Sequence, residues 1–137
     1  MKIYTLFGLS MIALFIMACG GGSSGSYIDI AEVIENKDFY RYIEADDKYY
    51  KEQFDGNGTL TKEIYLYPSN ELNATVASSY SIDSTYVFIT DEGVTVRCRI
   101  EKNNKSVTFS CLEEGVTGAA VETVRWYELD DALANPE

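Results

Sequence analysis

From residue 27 onward the chain runs in short apolar-polar segments separated by clusters of Asn, Asp and Gly. The first segment has helical spacing: Tyr27, Ile30, Val33 and Ile34 fall on one face. Ser26 stands at the N-cap position with Asp29 three residues on, so a short helix is expected over 27–36. Strand-like runs then follow one another. They cover 38–44, 48–54, 59–67, 74–82, 85–90, 94–101, 107–112 and 121–129. Leu60, Ile64 and Leu66 alternate in the third, Val94, Val96, Cys98 and Ile100 in the sixth, and Val107, Phe109 and Cys111 in the seventh. The turns between them are Asp46-Asp47, Gly56-Asn57-Gly58, Asp83-Ser84, Asp91-Glu92-Gly93 and 103–106, with longer loops at 68–73 and 113–120.

Eight strands with mostly short connections predict an all-β fold, an eight-stranded antiparallel up-and-down barrel with a short N-terminal helix. Closure hides the edges that an open meander would expose. The alternation is poor in the first two strands, and a β-sandwich is the alternative. The barrel domain is placed at 27–129, and 130–137 reads as a loosely held C-terminal tail.

The segment before the domain has a different character. Met1-Lys2 is followed by an uncharged, largely apolar run to Met17. The run is shorter than the ~20 residues a membrane-crossing helix needs, and fits a signal-peptide core. It ends in Ile16-Met17-Ala18-Cys19, which resembles the lipobox of bacterial lipoproteins. That resemblance implies a signal peptide at 1–18, removed on maturation. Cys19 would then be the new N-terminus, carrying a thioether-linked diacylglycerol and an N-acyl chain, commonly palmitate. Several acyl chains hold a membrane nearly irreversibly, at ~0.8 kcal/mol per buried methylene. Residues 19–26, the lipidated cysteine with Gly20 to Ser26, would form a flexible Gly/Ser linker. Gly20 after the cysteine favours the outer membrane, facing the periplasm or the surface. The implied location is the bacterial cell envelope.

The lead-in helix, the strand with Phe39-Tyr40, the Asp55-Gly56-Asn57-Gly58-Thr59 turn and a closing strand with Trp126 resemble small lipocalin-like barrels among bacterial lipoproteins. The resemblance is one of pattern and covers about residues 27–129. The Gly-x-Trp of a lipocalin's first strand is replaced here by Asn36-Lys37-Asp38-Phe39-Tyr40.

Charge narrows the function. The 137 residues carry 22 acidic and 11 basic side chains, for a net charge of -11, or -12 once Lys2 leaves with the signal. Such a surface repels nucleic acid and anionic lipid, so acyl chains rather than a basic patch would hold the protein to a membrane. Histidine is absent, which removes the commonest general base and the commonest metal ligand.

Cys98 and Cys111 lie in neighbouring strands. If they oppose each other, Ile100 faces Phe109, Lys102 faces Val107, and all the apolar partners share a face. In an oxidising compartment this geometry predicts a Cys98–Cys111 disulfide worth up to ~3 kcal/mol. The alternative is two buried free thiols.

Other constellations are weaker. Gln53 to Ile64 approaches a calcium-binding EF-hand loop, but Gln53 and Ile64 occupy its two best ligand positions. No metal or cofactor is expected. Asp55-x-Asn57-x-Thr59 and Glu71-x-Asn73-x-Thr75 match an extended acidic glycosylation sequon, making Asn57 and Asn73 candidate acceptors in or beside loops. The same residues are also ordinary turn formers. Tyr40, Tyr42, Tyr49, Tyr50, Tyr65 and Tyr67 come from three successive strands and should cluster, chiefly as packing. Arg97, Arg99 and Glu101 share the face opposite Cys98, and cross-strand ion pairs are expected there.

These readings favour a non-enzymatic, membrane-anchored envelope lipoprotein that binds a small apolar ligand or a protein partner. The alternative is an accessory envelope protein, or one similar to the small lipoprotein inhibitors of lysozyme.

Overall fold

A computed structural model describes residues 28–137 of the chain. Cys19, the signal segment and the Gly/Ser linker lie outside the described residues, as do Ser26 and Tyr27. The described chain runs α1 (Ile30–Ile34), β1 (Asp38–Ile43), β2 (Lys48–Phe54), β3 (Thr59–Leu66), β4 (Glu71–Ile82), β5 (Val87–Asp91), β6 (Val94–Lys102), β7 (Ser106–Glu113), β8 (Val121–Trp126) and α2 (Leu129–Ala134). The eight strands form one closed antiparallel barrel in sequence order.

Register decides which side chains face the lumen, because cross-strand partners share a face and alternate residues point oppositely. Phe39 opposes Glu52, Phe54 opposes Leu60, Val87 opposes Cys98, Ile100 opposes Phe109, and Val107 opposes Arg125. At the end where β2 gives way to β3 this face is dry. Phe39, Phe54 and Phe109 have no exposed surface; Phe54 and Phe109 stack at 6.0 Å, and Phe39 meets Phe54 edge-on at 6.3 Å. Helix α1 packs across the same end, adding Ile30, Val33 and Ile34 to that core.

Helix α1 is shorter than 27–36, and its N-cap is Asp29, whose carboxylate accepts from the Glu32 N–H at 3.2 Å. The helix stops at Ile34 because its backbone is captured by the barrel. Glu35 bridges to Phe54, and the Asn36 N–H donates to the Phe54 carbonyl at 2.7 Å. Tyr80 ties the same corner: its hydroxyl donates to Glu35 Oε1 at 2.8 Å and accepts from the Gly56 N–H at 2.9 Å.

Two further expectations are corrected. Strand β4 begins at Glu71 rather than 74, so Asn73 lies in a strand. It is the odd residue of a bulge, since Ile64 pairs with Ala74 and Tyr65 with Leu72. The C-terminal segment is not a loose tail. Leu129, Ala132 and Leu133 of α2 pack outside the barrel on Tyr40, Tyr42, Tyr49, Tyr65 and Trp126. Beyond the helix, the Glu137 N–H donates to the Tyr42 carbonyl at 2.9 Å. This segment reinforces the β1–β8 seam, where Tyr40 pairs with Trp126.

Candidate functional site

The lumen changes chemistry halfway along. Above the phenylalanines lies an ionic layer. Arg125 stacks over the Phe109 ring, its guanidinium carbon 3.9 Å from the centroid. Its Nε donates to Glu52 Oε2 at 2.5 Å, and its second arm donates to Thr123 Oγ1 at 2.7 Å. Lys62 Nζ stands 3.6 Å from Glu52 Oε1. That oxygen is buried and receives no hydrogen bond from the described residues. Glu52 is 1% exposed. Burial alone would raise its pKa, but Arg125, Lys62 and Arg41 outweigh that and hold it below the ordinary carboxylate value.

The opposite end is the mouth. Here the lumen-facing side chains of Tyr50, Ile64, Ile89, Val96 and Thr123 are half-buried rather than sealed, and Val76, Val94 and Val121 are exposed. The lining is divided by chemistry. Arg41 and Lys62 stand on the β1–β3 side, and Val76, Ile89 and Val96 on the β4–β6 side. Arg41 is itself held by Glu137, its Nη2 2.6 Å from Oε2 and its Nε 3.2 Å from Oε1. The mouth thus has one apolar side and one polar side. Glu52 and Glu137 are tied to cations there.

The sequence-derived candidates distribute as follows. Cys98 and Cys111 form a disulfide across β6 and β7, Cα atoms 4.0 Å apart, in the expected register. Asn57 sits exposed at the tip of the β2–β3 turn. Asp55 holds that turn through one carboxylate oxygen, which accepts from the Asn57 N–H at 2.7 Å and the Thr59 N–H at 2.9 Å. Its carboxylate is thus occupied within the turn. Asn73 is exposed in β4. The tyrosines do gather: Tyr49 stacks on Tyr65 at 4.9 Å and Tyr42 meets Tyr67 at 5.1 Å, all beneath or beside α2, while Tyr50 faces the lumen instead.

Among the described residues, the expected ion pairs of Arg97 and Arg99 are not formed. Arg97 lies between Phe88 and Leu112, and Arg99 opposite Ser110. Both guanidinium groups turn to the ring of Tyr86, at 4.8 and 5.9 Å from its centroid. They border a cleft of about 270 Å³ on the outer wall. Sequence reading missed Glu52 and Arg125 as lumen residues, although both keep the two-residue spacing of the inward set.

Comparison with protein-family models, curated proteins and solved structures finds no match to this chain.

Proposed function

We propose that the chain is a non-enzymatic envelope lipoprotein, anchored through acyl chains on Cys19, whose barrel mouth binds a small amphiphilic ligand. The observation that carries the binding half is the division of the lumen. Its lower half is sealed by Phe39, Phe54 and Phe109, and its upper half is half-exposed, with Arg41 and Lys62 on the β1–β3 side and Val76, Ile89 and Val96 on the β4–β6 side. A purely apolar guest deep in the barrel has no room among those rings. An amphiphile at the mouth would lay its apolar flank on the valines and Ile89 and its polar end toward Lys62. The unmet Glu52 Oε1 favours a ligand that also brings a donor group. The lipobox-like Ile16-Met17-Ala18-Cys19 supports the anchor, and the net charge of -11 argues against nucleic acid as partner.

Two measurements test this reading. Metabolic labelling with an alkyne fatty acid should mark the protein and leave Cys19→Ser unmarked and free of the membrane fraction. Native mass spectrometry of the full chain, released gently from membranes, should show a bound small molecule that Lys62→Glu loses. Recovery of only the bare protein, with no small molecule from the native membrane, would remove the binding half of the reading.

A further inference from the structure

A second concavity lies on the outside of the barrel, away from the mouth lining. We infer that the cleft bordered by Arg97, Arg99 and Tyr86 is a binding site for an acidic sugar, meaning a single polyhydroxylated ring that bears a carboxylate or phosphate. The inference does not depend on the anchor or on the mouth.

The charges come first. Arg97 and Arg99 are exposed and stand two residues apart on β6, about 7 Å by strand rise. The chain has 22 acidic residues against 11 basic ones, yet neither arginine is given a carboxylate. The ion pairs among the described residues involve Arg41, Lys51, Lys62, Lys105 and Arg125 instead. Cross-strand neighbours are neutral on both sides: Phe88, Leu112 and Ser110. Two like charges held side by side with no carboxylate in ion-pair contact are unfavourable, and an oxyanion between them relieves that.

The arginines are also held in place. Their backbone flanks Cys98, whose disulfide to Cys111 braces the hairpin from inside. Their guanidinium groups lie over Tyr86, and Tyr86 is fixed by its own turn. Asp83 Oδ1 accepts from the N–H groups of Thr85 and Tyr86, both at 2.7 Å, and the Asp83 N–H donates to the Tyr86 carbonyl at 3.0 Å. Ordering of the cations therefore precedes any ligand.

The rest of the cleft sets the ligand's body. Leu112 and Ala120 offer a small apolar surface, and Ser110 sits at the floor. The Ser110 hydroxyl donates to Glu122 Oε1 at 3.3 Å, which leaves the Ser110 oxygen and the Glu122 carboxylate as acceptors for a sugar hydroxyl beside the cations. Cations for one oxyanion, a hydroxyl-matching pair and a small apolar wall describe a charged sugar better than a bare ion. A volume of about 270 Å³ suits one substituted ring, given that a cavity of ~150 Å³ accepts benzene.

The test is calorimetric titration of the full chain, in detergent, with glucuronate, glucose 6-phosphate, glucose and inorganic phosphate, each to about 20 mM. Glucuronate or glucose 6-phosphate should bind saturably and at least about tenfold more tightly than glucose or phosphate. The tighter of the two identifies the oxyanion as carboxylate or phosphate. Arg97→Gln and Arg99→Gln should each weaken binding about tenfold, and Lys102→Gln, at an exposed residue outside both the cleft and the mouth lining, should leave it unchanged. Unchanged Trp126 emission in each variant shows that the barrel is intact. Saturable binding by neither charged sugar, equal binding of glucose or of phosphate, or full affinity in the double arginine variant would each overturn the inference.

Discussion

Arg125 and Glu52, 73 residues apart in sequence, meet inside the barrel with Nε 2.5 Å from Oε2. The pair divides the lumen into a sealed aromatic half and an open mixed half. It is also asymmetric: three cations converge on one carboxylate, while Arg125 has Glu52 and Thr123 as its side-chain acceptors.

That asymmetry orders the cost of substitution. Glu52→Leu strands Arg125 among aromatic rings and should cost about 3–5 kcal/mol in urea unfolding. Arg125→Met should cost less, because Lys62 remains 3.6 Å from Glu52 Oε1. The double variant should recover much of the loss, since a filled apolar layer replaces the pair. Equal costs for the two single variants would contradict the asymmetry.

Acid should find the same place. Glu52 takes up its proton near 4.5 when unfolded and only at lower pH when folded. Below about pH 4.5 the unfolded chain therefore binds more protons, and stability falls as pH falls. Glu52→Gln should flatten this acid limb in a series of urea curves from pH 6 to about 2.5. An unchanged limb would place the acid sensitivity elsewhere.

The disulfide should resist reduction while the barrel stays folded. Cys98 has no exposed surface, so its sulfur should be released only when the β6–β7 hairpin opens. Thiol titration of oxidised protein should find no Cys98 or Cys111 thiol until a reductant and denaturant are added together. Cys98→Ala with Cys111→Ala should lower the melting temperature by about 10 °C, corresponding to about 2 kcal/mol in a domain of this size. A smaller loss would show that the hairpin alone supplies the restraint.

The parts of the fold that were legible are those with one wet face. Strands β3, β6 and β7 alternate because one side meets the core and the other water, and the register of β6 on β7 followed from matching Cys98 to Cys111. Strands β1 and β2 alternate poorly because both faces are covered, one by the lumen and the other by α2. Helix α2 carried its signal in Leu129, Ala132 and Leu133, but six residues are too few for periodicity to outweigh an expectation of a frayed end. The outer-wall cleft was half legible. The register that joins the cysteines already sets Arg97 opposite Leu112 and Arg99 opposite Ser110, leaving no acidic partner across the strand. What sequence could not supply was Tyr86, brought over both guanidinium groups by a turn locked through Asp83.

The docking of α2 can be read directly, because Trp126 is the single tryptophan and lies against it. Ala132 has no exposed surface where it meets Tyr42 and Tyr49, so a charged side chain there cannot be solvated without lifting the helix. Ala132→Asp should shift Trp126 emission to longer wavelength and cost about 3 kcal/mol. Because Glu137 extends the same segment to Tyr42 and Arg41, hydrogen exchange should also quicken along the β1–β8 seam. Leu133→Ala, which trims the contact without burying charge, should give a smaller shift of the same sign. If Trp126 emission is unmoved in both variants, α2 is not what shields the seam, and the aromatic strip beneath it must be held by β1 and β2 alone.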